Sequence, residues 1–129
     1  MKDELPFFAN GSLVGDYKPL RKYWEILRKK GFDLDNAFLK REDFEYLDRR
    51  VKENPGIDVA SLINELTQYF MDRIVPEAAV EACREAYGVS FDRDTAVKKI
   101  AYIMAGWLIE AGKNTGILSL KSKWSRGGV

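Results

Sequence analysis

The chain has 129 residues, 46% hydrophobic and 32% charged, which suits one globular domain with a real core and excludes a disordered composition. It has 21 Lys and Arg, 20 Asp and Glu, no His and one Cys, so it lacks the commonest general base and metal ligand and cannot close an internal disulfide. The longest apolar stretch, Ile100 to Ala111, contains Glu110 and is far shorter than the roughly 20 residues of a membrane span. No basic region followed by an apolar run opens the chain, so no signal peptide is expected. Together with the lone Cys83, this points to a reducing, cytoplasmic location, or to a virion.

Residues 1–15 do not read as helix. Pro6 to Ala9 and Ser12 to Val14 flank Asn10-Gly11, a strong hairpin-turn signal, so an extended or hairpin arm is expected. The sequon at Asn10 and the Lys2-Asp3-Glu4-Leu5 tetrapeptide carry no meaning without secretion and away from a C-terminus.

Five helices follow. The first runs from about Asp16 to Lys30, with Pro19 in its first turn, Gly31 past its end, and Leu20, Tyr23, Trp24 and Leu27 on one face. The second occupies part of Asn36–Asn54, most securely Glu42 to Glu53, with Phe44, Leu47 and Val51 inward and Pro55-Gly56 as its stop. The third starts near Asp58, ends before Pro76, and carries the stripe Val59, Leu62, Ile63, Leu66 and Phe70. The fourth spans Pro76 to Tyr87, with Ala79, Val80, Cys83, Ala86 and Tyr87 inward, Gly88 as a left-handed cap and Val89 as its apolar contact. The fifth runs from about Asp94 to Ala111, buries Val97, Ile100, Ala101, Met104, Trp107, Leu108 and Ala111, and stops at Gly112. Gly106 inside it costs about 1 kcal/mol of propensity relative to Ala, which a close helix crossing would justify. The spacing thus predicts an all-α bundle of about five helices over residues 16–111 in a single domain. It carries an N-terminal arm, 1–15, and an extended basic tail, 112–129.

The net charge of +1 hides a partition. Residues 1–31 hold seven basic and four acidic side chains, net +3; residues 32–111 hold ten and sixteen, net −6; residues 112–129 hold four cations and no acid. Such asymmetry speaks to partners rather than to fold. Helix 1 presents Lys18, Arg21, Lys22, Arg28, Lys29 and Lys30 with Tyr23 and Trp24 interleaved, a candidate phosphate-binding face. The plainer reading is a solvated face, with three of those cations in the last turn where the helix dipole favours them. In the tail, Leu118, Leu120 and Trp124 share one face at period two, accompanied by Lys121, Lys123 and Arg126. They suit an aromatic and apolar anchor for another subunit, or a stacking platform with phosphate contacts, against the plain alternative of a frayed end. Glu77, Glu81 and Glu85 form an acidic ridge at i, i+4, i+8 on helix 4, ordinarily a solvated face, which would also receive a basic arm from a neighbour.

Helices 4 and 5 invite a helix-turn-helix reading, with Lys98, Lys99 and Tyr102 outward, but Gly88 to Asp94 is longer than the 3–4 residues such a turn takes. Gly106 to Lys113 fails as a phosphate loop in spacing and in lacking the following Ser or Thr. Cys83 reads as a core residue and Asp92-Arg93-Asp94 as a helix cap. No catalytic, cofactor or metal site is expected. The functional expectation is a non-enzymatic structural or adaptor subunit that joins neighbouring subunits, as a homo-oligomer, through its two arms, in the manner of a viral or phage particle component. The alternative is a nucleic-acid-binding protein that uses helix 1 and the tail.

Overall fold

A computed structural model describes residues 16–115 of the chain, with side chains to Gly112. Its elements in order are α1 (Lys18–Lys30), a single 3₁₀ turn (Asp35–Ala37), α2 (Arg41–Glu53), α3 (Val59–Met71), α4 (Pro76–Tyr87) and α5 (Arg93–Thr115). The described residues form a five-helix bundle without strands. The expected arm, 1–15, and the tail from residue 116 lie outside the described residues.

The start and stop signals act as their chemistry dictates. Proline occupies the first turn of α1 and of α4, where a missing N–H costs nothing. Gly31 takes φ +80° and closes α1 with a Schellman pair: its N–H donates to the Arg28 carbonyl, and the Phe32 N–H donates to the Leu27 carbonyl at 2.9 Å. Gly88 takes φ +79° and closes α4 differently, with one bond from its N–H to the Arg84 carbonyl at 2.9 Å. That simpler motif does not need an apolar contact from the next residue, which is why Val89 is exposed rather than packed as expected. Asp58 precedes α3 and Asp92 precedes α5. The hydroxyls of Ser61 and Thr95, three residues on, hold the respective carboxyls below their ordinary range.

Helix α5 is the centre. Between Ile100 and Ala111 only Tyr102 is exposed and only Glu110 is half-buried; Ile100, Met104, Leu108 and Ile109 have no accessible surface at all. The expected stripe is all buried, and Ile103, Ala105 and Ile109 are buried as well, so from Ile103 to Ala111 α5 is enclosed on nearly every side. It packs against α3, α4, α1 and α2. Gly112 does not end it: that residue is helical and buried, and α5 continues to Thr115. A glycine in a crowded helix serves close packing as readily as termination, and sequence alone does not separate the two.

Helix α4 meets α1 and α5 through Ala78, Ala79, Ala82 and Cys83, all fully buried. Small side chains let the backbones approach closely. Tyr87, expected inside, lies one turn beyond this patch at the helix end and is 44% exposed. Burial pushes the Cys83 thiol above its ordinary range, the mark of a core cysteine. Trp24 of α1 donates from Nε1 to the Ala37 carbonyl at 3.0 Å and meets the rings of Phe38 at 4.5 Å and Trp107 at 5.2 Å. This pins the loop after α1 against α5.

Helix α2 is held differently, by long side chains bridging to α3 rather than by close backbone packing. Asp43 has no accessible surface, and its carboxylate accepts four hydrogen bonds: the Lys40 backbone N–H at 2.8 Å, the Tyr69 hydroxyl at 2.7 Å, and Arg73 Nη1 and Nη2 at 2.7 and 3.0 Å. Arg73 also donates to the Phe38 carbonyl at 3.1 Å and the Asn36 carbonyl at 3.3 Å. One guanidinium therefore joins the end of α3, the start of α2 and the loop between α1 and α2. Tyr46 stacks on Tyr69 at 4.2 Å, and Arg50 makes a forked pair with Glu65 at 2.9 and 3.3 Å.

Two stability predictions follow from this packing. Trp107→Ala lowers unfolding free energy by about 3–5 kcal/mol, the range for truncating a buried aromatic. An unchanged urea midpoint for that variant would remove α5 from the centre. Arg73→Met strands the buried Asp43 charge and costs a similar ~3–5 kcal/mol, while the double change Asp43→Leu with Arg73→Met recovers most of it. A double variant no more stable than Arg73→Met alone would mean that the pair matters through its links to Phe38, Asn36 and Tyr69 rather than through charge.

Candidate functional surfaces

The two charged features that stand apart in the sequence face each other in the fold. Helix α1 packs along α4, and Lys30 reaches Glu81 at 3.6 Å while Lys22 reaches Glu85 at 3.9 Å, with Glu25 also 3.9 Å from Lys22. The acidic ridge is thus turned in part toward the basic helix of its own chain. Glu77 stands outside this seam and is exposed. Of the α1 cations, Lys18, Arg28 and Lys29 are exposed and Arg21 is half-buried. The seam pairs are long and between a third and a half exposed, so each contributes at most about 1 kcal/mol and is screened by salt.

A second surface forms where α4 turns into α5. Tyr87 and Phe91 meet edge to face at 5.6 Å, and the Lys99 ammonium lies over both rings, 5.6 Å from Tyr87 and 5.2 Å from Phe91. Three of the large apolar or aromatic side chains that remain exposed, Tyr87, Val89 and Tyr102, belong to these two helices and their turn. The turn spans residues 88–92, still longer than a helix-turn-helix takes, and most of α5 is enclosed. Among the described residues, only its first turns are open to a ligand.

Next to this corner an open groove of about 490 Å³ runs between α3 and α5. Asn64, Thr67 and Gln68 line it from α3, and Thr95, Lys98, Lys99 and Tyr102 from α5. Thr67 is committed to the Ile63 carbonyl at 2.7 Å, and Thr95 to Asp92. Among the described residues, no carboxylate lines the groove. The outward reading of Lys98 and Tyr102 agrees with their exposure, but Asn64 and Gln68 carried no signal in the sequence, because only the α3–α5 contact places them beside the cations. A second groove, on α2, is lined by Leu39, Lys40, Arg41, Phe44, Glu45 and Asp48.

The tail residues Leu118, Leu120, Lys121, Lys123, Trp124 and Arg126 lie outside the described residues. Among the described residues no group of His, Cys, Asp or Glu is arranged to hold a metal ion, and no helix is long and apolar enough to cross a membrane. Compared with family models, curated proteins and solved structures, the chain matches none.

The seam makes a prediction. Glu81→Gln with Glu85→Gln lowers stability by no more than about 2 kcal/mol at low salt and by almost nothing in 1 M salt, since only exposed pairs are lost. A loss that persists undiminished at high salt would show that the ridge acts through packing instead.

Proposed function

We propose that this protein is a non-enzymatic assembly or adaptor subunit whose arms dock onto neighbouring copies, as in a component of a viral or phage particle. The observation that carries the reading is the α1–α4 seam. It draws Lys22 and Lys30 into contacts within the chain, which weakens the case for α1 as a phosphate-binding face. Residues 112–129 keep four cations without an acid, and Leu118, Leu120 and Trp124 supply apolar anchors. The seam pairs are weak enough to exchange: a neighbour's Lys121, Lys123 or Arg126 competes with Lys30 and Lys22 for Glu81 and Glu85, and Glu77 is open to it. Tyr87, Val89 and Tyr102 add exposed apolar surface of the kind that docking uses.

The alternative, nucleic-acid binding through α1 and the tail, keeps Lys18, Arg21, Arg28 and Lys29 as its contacts on α1, none of them ion-paired among the described residues.

The test compares full-length protein with a chain ending at Thr115, which leaves α5 whole. Sedimentation of the full chain should give an oligomer and of the shortened chain a monomer, with the urea midpoint nearly unchanged. Trp124→Ala should reproduce most of that loss of mass. Lowered stability at unchanged mass would sink the assembly reading. Loss of nucleic-acid affinity alone, with a salt dependence scaling with the cations removed, would put the alternative in its place.

A further inference from the structure

We propose that the groove between α3 and α5 binds a segment of single-stranded nucleic acid, with one nucleotide seated between the two helices. The assembly reading is not needed for this, and the two sites are separate.

The geometry supplies each part that a nucleotide needs. The groove's volume of about 490 Å³ falls within the range of small-molecule sites, roughly 300–1,000 Å³, and it is open to solvent rather than enclosed. Lys98 and Lys99 give two positive charges to a lining that, among the described residues, contains no acid. The Lys99 ammonium is held over the Tyr87 and Phe91 rings, so it is positioned before a phosphate arrives. Tyr102 is 40% exposed and offers a ring for a base to stack on. Asn64 and Gln68 are exposed, one turn apart on the facing helix, and have no hydrogen-bond partner among the described residues. A carboxamide both donates and accepts, which is what the edge of an unpaired base requires.

The polar groups that are not free also fit. Thr67 and Thr95 are committed to Ile63 and Asp92 and form walls rather than ligands. An acidic peptide would use the two lysines but leave the paired amides and the phenol ring without a role. A duplex is too wide for a groove of this volume, and α5 is too enclosed to enter one.

Binding is measured by fluorescence anisotropy with labelled oligo(rA) and oligo(dT) of about 12 nucleotides, and by competition with AMP and with poly-glutamate. The full-length chain should bind at least one of the two oligonucleotides in low salt. Tyr102→Ala should weaken binding roughly tenfold or more, and Tyr102→Phe should restore it, since the ring rather than the hydroxyl stacks. Lys98→Gln should reduce the slope of log affinity against log salt by about 0.7, the value per phosphate contact on a single strand. Gln68→Ala should change the preference between the two oligonucleotides. All these residues are exposed or partly so, and circular dichroism melts should match the parent, so that a loss of binding is not a loss of folding. Four results would overturn the proposal. They are no binding of either strand, binding lost in Lys18→Ala with Lys29→Ala but kept in the groove variants, AMP binding as tightly as the strands, or poly-glutamate competing as well as nucleic acid does.

Discussion

Between Ile100 and Ala111 helix α5 has almost no polar face, so water must be kept from most of its circumference, and the other helices are arranged by that requirement. Fully burying one Leu, Ile or Met is worth about 1.5–3 kcal/mol, and α5 holds Ile100, Met104, Leu108 and Ile109 without accessible surface. A single neighbour covers only one side of a helix. Helices α1, α2, α3 and α4 therefore all contact α5, and the buried alanines of α4 face α1 and α5. The same enclosure limits function: among the described residues, α5 can meet a ligand only along its first turns, where Thr95, Lys98, Lys99 and Tyr102 reach the surface.

Helix α2 is attached on other terms. Its inward residues Leu47 and Val51 are buried, but its link to α3 runs through the Asp43–Arg73 pair, the Tyr46–Tyr69 stack and the Arg50–Glu65 fork. Asp43 is fully buried and Arg73 largely so, and such an ion pair adds little stability over an apolar replacement, because desolvating the two charges offsets their attraction. It does fix geometry. With four donors on Asp43 and carbonyls of Asn36 and Phe38 on Arg73, shifting α2 along α3 would leave several buried polar groups without partners. Burial and the bond to Asp43 also hold the Tyr69 phenol well above its ordinary range, so it remains a hydrogen-bond donor at every physiological pH.

On the surface, charge and aromatic side chains are distributed unevenly. The seam between α1 and α4 places opposite charges together and lowers the field that either helix would project alone. The groove between α3 and α5 does the reverse, bringing two lysines beside amides and an open ring with no acid among them. The proposed assembly through the tail and the proposed strand-binding groove thus draw on different parts of the molecule, so each can be tested without the other.

The sequence by itself determined the five helices and most of their ends. Proline at a first turn, glycine past a last one and an apolar period near 3.6 are local signals, and local sterics and hydrogen bonding decide them. It also determined the buried stripes of α1, α3 and α5, save that Val59 at the start of α3 is only half-buried, since periodicity marks the face that must leave water. Local signals failed where one residue type serves two purposes. Gly112 reads as a stop yet lies buried within α5, and Tyr87 keeps the period of its helix but falls beyond the edge of the core. Only the tertiary structure decided which charges meet. Asp43 and Arg73 are 30 residues apart, and nothing near Asp43 in the chain marks it as the most deeply buried carboxylate among the described residues. Lys30 and Glu81, or Gln68 and Tyr102, become neighbours only because α1 packs along α4 and α3 along α5. The physical reason is the range of the forces: a chain writes its helices through contacts within four residues, whereas its sites arise from the long-range packing that encloses α5.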